Sequence, residues 1–318
     1  MSAHPSPDRT DRTDLTDGPA RTAPLDPPDL PSPPRKKRGQ WASAARRFKK
    51  DRLAVAGVVM LIVMIAAAVA AGFFVDYERD VVRQNVLEKL RPPGPGHWLG
   101  TDQYGRDILA RLLYGARYSL SIGATAIVFA LGGGLVVGAT AGYFGGLAEN
   151  VLMRLVDMFI AIPATLFAIA VVSALGPGVV NLTMAIAMAY LPIFARIMRA
   201  ATLTVKDLDH VEAARAIGCG HLRILVRHVL PSIMGPLIVQ GTLGVGYAIL
   251  QASALSFLGL GVMPPDPEWG AMLSEGGAFM RQSPWMVIFA GLAIIYVILA
   301  LNIIGDGLRD ALDPKMRD

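Results

Sequence analysis

Long uncharged apolar runs alternate with short polar segments along most of this chain. A helix needs about 20 apolar residues to cross the hydrocarbon core of a bilayer, which is about 30 Å thick. Runs that reach or approach this length cover residues 53–75, 118–143, 158–175, 179–195, 229–263 and 284–305. The pattern therefore predicts an all-α polytopic membrane protein with six transmembrane helices.

The composition also favours a membrane protein. Of the 318 residues, 53% are hydrophobic and 17% charged, which lies outside the range of an ordinary soluble domain. The first apolar run, residues 53–75, is longer than the core of about 7 to 15 residues in a signal peptide, so we expect a span that is not cleaved. The net charge is +5. In a membrane protein the placement of the basic residues reports orientation, so this charge does not by itself predict a nucleic-acid partner, and we expect none.

The basic residues indicate which side each segment faces. Nine Lys and Arg residues lie between positions 35 and 52, and six lie between positions 196 and 227. Such residues collect on the cytoplasmic side, whereas those in the long segment 76–117 count less because long loops translocate largely regardless of charge. We therefore predict a multi-pass plasma-membrane protein with both termini in the cytoplasm.

The segments outside the spans differ in character. Residues 1–34 contain nine prolines and almost nothing that could form a core, so we expect a disordered cytoplasmic tail. Residues 35–52 predict a basic interfacial helix that meets anionic lipid headgroups. Residues 118–308 hold the other five spans, and residues 309–318 are expected to form a cytoplasmic C-terminal tail.

Residues 76–117 are expected to form an extracytoplasmic loop. From Asp107 onward, apolar residues follow helical spacing with Arg106 and Arg111 off their face, which predicts a helix lying on the outer membrane surface. Thr101 or Asp102 could cap its start. The apolar positions are Ile108, Leu109, Leu112 and Leu113.

Glycines recur every four residues in the second span. They place four positions without side chains on one stripe of the helix, which lets a neighbouring helix approach closely. The spacing predicts tight helix packing, and sliding of the helices during a conformational cycle is compatible with it. The positions are Gly134, Gly138, Gly142 and Gly146.

A charged, amphipathic stretch separates the fourth and fifth spans. Apolar residues at near-helical spacing predict a short cytoplasmic helix from Val205 to Ile217, and Gly218 follows, as expected just past a helix C-terminus. A second segment, His221 to Val229, leads into the fifth span. A helix-turn-helix projecting from a membrane bundle is suited to a groove of another protein. The apolar positions are Val205, Leu208, Val211, Ala214 and Ile217.

This stretch resembles the EAA loop of the permease subunits of bacterial ABC importers, with the pattern E-A-A-x3-G-x9-I-x-L-P. One position departs from the pattern, because His228 stands where Ile is general; His is familiar there in the peptide-type branch. The resemblance implies that the loop, residues 200–229, docks into a cleft on an ATPase subunit. The implied coupling residues are Glu212, Ala213, Ala214, Arg215, Gly218, Leu230 and Pro231.

Two further motifs narrow the resemblance. "HWLGTDQYGRDILARLLYGARYSL" and "FLGLGVMPPDPEWGAML" are similar to segments of the dipeptide, oligopeptide and nickel permeases, in particular the second of their two paired subunits. Together the motifs cover nearly everything from residue 48 to 316. The resemblance implies a type I importer fold in the bacterial inner membrane and a permease for di- or oligopeptides, with nickel or another small solute as the alternative.

The resemblance also implies partners. These are a second permease subunit, two ABC ATPase subunits, an extracytoplasmic binding protein and membrane lipid. No Lys follows a Gly in this chain, so a phosphate-binding G-x-x-x-x-G-K-[ST] loop is absent from the sequence. We therefore expect no cofactor in this chain, with ATP and Mg²⁺ bound by the ATPase subunits.

Two other function classes were weighed. An intramembrane enzyme would need a nucleophile with a base, or a metal pair, at membrane depth, yet all five histidines lie outside the predicted spans. Asp306 and Asp157 are the only candidates for an aspartyl protease pair and lack a supporting pattern. The single cysteine, Cys219, has no zinc-like neighbours, so neither catalysis nor a metal site is expected. A secondary transporter or channel remains an alternative, although such proteins commonly place charge at the midplane.

Two residue sets are candidates for contact with substrate or partner. Four residues of the fifth span share a helix face and could line an aqueous path; hydrogen bonding to neighbouring helices is the alternative. They are Gln240, Gly244, Tyr247 and Gln251. In the outer loop, Asp102, Arg106 and Asp107 could form a gate or a binding-protein contact, with a structural ion-pair network as the alternative.

Overall fold

The computed structural model describes residues 40–312. Within them the chain is helical apart from loops and two isolated β-bridges. The predictions for residues 1–34, 35–39 and 313–318 lie outside the described residues. The helices are α1 Gln40–Lys50, α2 Arg52–Phe74, α3 Ile108–Phe144, α4 Gly146–Ile160, α5 Ala164–Leu175, α6 Val179–Val205, α7 Asp209–Ala216, α8 His221–Ile224, α9 Leu230–Phe257, α10 Trp269–Gly277 and α11 Trp285–Leu312.

Among the described residues, five helices are long and apolar enough to cross a membrane, namely α2, α3, α6, α11 and the continuous stretch His221–Phe257 that ends with α9. Helices α4 and α5 meet at a bend of 85° and can together count as a sixth span. This confirms the all-α polytopic class.

The third span differs from the prediction of one helix over residues 158–175. Helix α4 ends at Ile160, and Pro163 precedes α5. Proline disfavours the helical conformation of the residue before it and cannot donate a backbone hydrogen bond, so the helix breaks here. With 12 residues, α5 alone is too short to cross a bilayer core at about 1.5 Å per residue.

The outer end of the second span also differs. No separate surface helix begins at Asp107, because α3 runs for 37 residues without a break. Its N-cap is Asp107, whose carboxylate accepts a hydrogen bond of 2.8 Å from the backbone N–H of Ala110, so neither Thr101 nor Asp102 caps it. The segment contains no proline that could separate a surface helix from the span.

Helices α3 and α6 pack along their length, and the glycine stripe lies at their contact. A Cβ atom at Gly134 would lie 2.6 Å from Cβ of Phe194, and one at Gly142 would lie 2.8 Å from Cβ of Thr202. The carbonyl oxygen of Ala195 occupies the space that a Cβ at Gly138 would need. Close packing is therefore confirmed for these three glycines. Gly146 begins α4 and takes no part in it.

The two ends of the bundle carry different elements. At one end, α10 contacts the loop of residues 76–107; we call this the α10 end. At the other, α7 and α8 pack beneath α3, α6 and α9; we call this the α7 end. The start of α2 and the last turns of α11 also meet there, since Gly307 lies against Ala54 and Gly235 of α9 lies near Leu312. The first and last described helices thus share one end.

The α3–α6 contact gives a direct test. Replacing Gly138 by Leu should lower the thermal stability of the purified chain in detergent, because a side chain there must displace the α6 backbone; overpacking of this kind costs about 1–3 kcal/mol. Gly132→Leu is the control, since nothing lies within 4 Å of a Cβ at that exposed position of the same helix. Equal melting temperatures for the two variants would contradict the close packing.

Candidate functional site

Helix α7 forms the tip of the α7 end. It spans eight residues, ends at the C-cap Ile217 and is followed by Gly218 with φ of +81°. The backbone N–H of Cys219 donates to the carbonyl of Ala214 at 3.1 Å and that of Gly218 to the carbonyl of Arg215 at 3.0 Å. These bonds satisfy carbonyls at the helix end, and the left-handed residue that they require is glycine. The predicted turn at Gly218 is confirmed.

One side of α7 packs against the protein and the other is open. Val211 and Ala214 are buried in a cluster formed with α3, α6, α8 and α9. Glu212, Ala213 and Arg215 are exposed. Ala214, one of the implied coupling residues, faces the core of its own chain, in agreement with its place among the apolar positions of the helix.

Apolar side chains flank the open side of α7. Leu208 is 44% exposed, Ile217 is 80% exposed and Leu222, at the start of α8, is 74% exposed. Sequence analysis assigned Leu208 and Ile217 to the buried face, because they continue the spacing of Val211; however, they lie just beyond the two ends of a short helix and escape its packing. A surface that combines exposed apolar residues with charged ones is typical of an interaction site.

The path from α7 into the membrane is short and helical. After Gly220, α8 continues through a π-helical turn, Leu225–Val229, into α9. Pro231 occupies the first turn of α9, where it has no N–H to give to the preceding turn, and the wider π-turn accommodates it. Leu230 and Pro231 thus join α8 to α9 through unbroken helix, without a flexible linker.

Two ion pairs tie α4 to α6 near the same end. Arg196 pairs with Asp157 and Arg199 pairs with Glu149. The first pair is exposed on both sides, whereas the second is partly buried. Asp157 was a candidate for a protease pair by sequence; its carboxylate instead accepts a hydrogen bond from Arg196.

A charge-balanced ion network lies at the α10 end. Nε of Arg106 donates to Asp102 at 2.6 Å, and NH2 of Arg106 donates to Glu275 at 2.7 Å. Arg111 lies 3.1 Å from Glu275 and 3.6 Å from Asp102. Asp102 and both arginines are almost fully buried. We call these four residues the outer ion network.

The outer ion network changes two expectations. Arg111, placed off the apolar face by sequence, is 1% exposed. Asp102 and Arg106 are each 3% exposed, so in this conformation they join the loop to α10 and present no surface to a binding protein. For these residues, a structural ion-pair network was the alternative to a gate or a binding-protein contact. Glu275 was not foreseen, because it lies 169 residues from Arg106 and α10 was not predicted.

Asp107 belongs to a neighbouring contact. Besides capping α3, its carboxylate lies 2.8 Å from Nδ1 of His97, whose Nε2 lies 3.3 Å from Glu88. Burial lowers the pKa of His97, but the hydrogen bonds and charges of Asp107 and Glu88 outweigh it and raise that pKa above its ordinary value. The contact therefore stabilises the loop at low pH, and this contribution is lost as pH rises through the raised pKa.

The sequence did not indicate a role for two more carboxylates at the α10 end. Asp266 accepts hydrogen bonds from the hydroxyls of Tyr77 at 2.8 Å and Tyr118 at 3.0 Å. Glu268 is fully buried and caps α10 by accepting from the N–H of Ala271 at 2.9 Å. Both lie in the "PPDPEWG" segment, so its acidic residues hold the outer loop, α3 and α10 together.

The polar stripe of α9 is only partly open. Gly244 is buried against Phe194 of α6, whereas Tyr247 is 57% exposed. Gln251 accepts a hydrogen bond of 3.2 Å from Thr165 of α5, and its buried Nε2 has no partner among the described residues. Gln240 is half-buried. The stripe thus combines contacts between helices with an exposed polar edge.

Comparison with known proteins places these features in one family. Residues 134–318 match the model of the binding-protein-dependent transport system inner membrane component, and residues 39–93 match that of the N-terminal TM domain of oligopeptide transport permease C. A solved structure of the MetNI methionine ABC transporter in inward-facing conformations has a similar fold, with a TM-score of 0.54 and 18% identity over 64% of this chain and 96% of that chain.

Three relatives are similar over most of their length. The dipeptide transport system permease protein DppC of Alkalihalophilus pseudofirmus is 43% identical, covering 87% of this chain and 90% of that protein. The glutathione transport system permease protein GsiD of Pectobacterium atrosepticum is 41% identical, covering 88% and 93%. The di/tripeptide transport system permease protein DppC of Pseudomonas aeruginosa is 43% identical, covering 85% and 91%. The chain therefore belongs to the family of binding-protein-dependent transport system inner membrane components.

Proposed function

We propose that this chain forms half of the translocation path of an ATP-driven importer for short peptides. The observation that carries the proposal is α7, an exposed helix with Glu212 and Arg215 on its open side and apolar residues at both ends. Short turns join it to α6 on one side and, through α8, to α9 on the other. The relatives named for dipeptides, di/tripeptides and glutathione support a peptide substrate, since glutathione is itself a tripeptide.

The partners follow from this role. A second permease subunit completes the path, two ATPase subunits bind ATP and Mg²⁺, and a binding protein delivers the peptide on the side of α10. This chain contributes no catalytic group of its own. Its α7 end faces the cytoplasm of the bacterial cell. The basic residues of α1 and of residues 200–229, which we call the coupling loop, support this orientation.

Coupling works through rigid connections. When the ATPase subunits close on ATP, the groove that holds α7 moves, and α7 moves with it because Glu212 and Arg215 make charged contacts there. Val211 and Ala214 anchor α7 to α3, α6 and α9, so the membrane helices follow. Access to the path then changes from one side of the membrane to the other. The outer ion network connects the parts of the chain that form the outer gate.

The proposal is tested by purifying the chain in mild detergent and identifying what accompanies it. ATPase subunits and a second permease should co-purify, and peptides delivered by the binding protein should stimulate ATP hydrolysis of the reconstituted complex. Glu212→Ala should abolish most of this stimulation because it removes a charged contact in the docking groove. A chain that purifies alone and transports without nucleotide would contradict the proposal and favour a secondary carrier.

The turn after α7 should be required for coupling. Gly218→Val should leave the protein in the membrane but strongly reduce peptide transport per ATP hydrolysed, because a β-branched residue at φ of +81° is strained by about 1–3 kcal/mol and would reorient α7. Gly220→Val is the matched control, since Gly220 has φ of −66° and open space around its Cβ position. Wild-type coupling in the Gly218 variant would count against the role of this turn.

The polar stripe of α9 should influence which peptides pass. We expect the double substitution Gln240→Leu and Gln251→Leu to reduce transport of polar peptides, because the path loses two groups that can hydrogen-bond to amides. Competition assays with a series of dipeptides would measure the range of substrates. Unchanged rates and range would remove the stripe from the translocation path.

A further inference from the structure

We infer that Tyr143 and His221 form a direct contact through which the coupling loop moves α3. The loop is joined covalently to α6 and α9, whereas α3 is held to it by packing against α6 and against α7, and the Tyr143–His221 pair adds a hydrogen bond to that packing. This inference rests on the proposed coupling function and goes beyond it, because it assigns a positioning role to Tyr143 of α3 and to His221, which stands at a position that the EAA pattern leaves unspecified.

The contact joins the last turn of α3 to the first residue of α8. The hydroxyl of Tyr143 lies 3.1 Å from Nδ1 of His221 and donates to that nitrogen when it carries no proton. The two rings meet edge to face with centroids 5.8 Å apart. Phe144 lies against the same imidazole, also with centroids 5.8 Å apart. His221 is thus held by both a hydrogen bond and aromatic packing.

The contact lies at the edge of the cluster that anchors α7, since Tyr143 belongs to that cluster and His221 is exposed. Tyr143 is 7% exposed and shares this cluster with Val211, Ala214 and Ile224. A buried tyrosine hydroxyl usually has a hydrogen-bond partner, and His221 provides it here. The hydrogen bond therefore fixes the position of α8 relative to α3 at the point where α7 also packs.

Helix α3 can carry a displacement from this point to the opposite end. Its glycine stripe holds it against α6 over about two turns, so it is supported against bending. Its other end carries Asp107, which caps it, and Arg111, which belongs to the outer ion network. A movement that enters at Tyr143 would therefore reach Glu275 of α10 through one continuous helix.

The test is a double-mutant cycle on the complete reconstituted complex, measuring peptide transported per ATP hydrolysed. Tyr143→Phe and His221→Phe keep the rings and remove the hydrogen bond. Each should lower the ratio about fivefold, the change in an equilibrium that loss of one hydrogen bond typically produces. The double variant should be no worse than either single one. Tyr296→Phe is the matched control, because it removes a hydroxyl that donates to the carbonyl of Met60 at 3.2 Å between α11 and α2.

Two results would overturn the inference. In the first, Tyr143→Phe transports as much peptide per ATP hydrolysed as Tyr296→Phe does. In the second, the reduction in the double variant equals the product of the two single reductions. Complexes are compared at equal content of co-purified ATPase subunits, so that a loss of assembly is not counted as a loss of coupling. Glu212→Ala, measured in parallel, distinguishes a failure of this inference from a failure of the proposed function. If it uncouples and Tyr143→Phe does not, only this inference fails; if neither uncouples, the proposed function fails as well.

Discussion

The architecture depends on how closely α3 approaches α6. At Gly138 the α6 backbone occupies the space of a side chain, and Gly134 and Gly142 repeat this contact one turn away on each side. In a membrane, where apolar surfaces gain little by leaving lipid, such close van der Waals packing is a main source of helix association. The two helices therefore behave as one unit, and that unit connects the α7 end to the α10 end.

Different kinds of interaction stabilise the two ends of the α3–α6 unit. At the α7 end, apolar packing around Val211 and Ala214 anchors a helix that leaves its charged side open. At the α10 end, the outer ion network and the carboxylates of Asp266 and Glu268 join distant parts of the chain through buried hydrogen bonds. Breaking one partner of a buried ion pair costs about 3–5 kcal/mol, so a gate built on this network would have discrete states.

The sequence predicted features that depend on local spacing. Glycine recurrence predicted close packing of α3 against a neighbouring helix, although not that this helix is α6, and Gly218 predicted the turn after α7, because each follows from the geometry of a single helix. Contacts between distant segments were not predicted. Nothing near Arg111 indicates that Glu275 would neutralise it, and a helical spacing rule could not show that Ile217 lies beyond the packed part of α7.

The break at Pro163 shows a second limit. Apolar content predicted one span over residues 158–175 even though Pro163 lies within it, because prolines are tolerated in membrane helices. The chain instead turns by 85° between two helices. Hydropathy reports that a segment is apolar enough for lipid, but not whether its helix is continuous.

In the proposed mechanism, the coupling loop and the α3–α6 unit move as one body. Spin labels at Asp207, beside the loop, and at Leu87, in the exposed outer segment, would report it in the assembled complex after Cys219→Ser, with a third label on the second permease. The account predicts that the Asp207–Leu87 distance is the same with and without trapped ATP, while both distances to the second permease change. An Asp207–Leu87 distance that changes with ATP would contradict it.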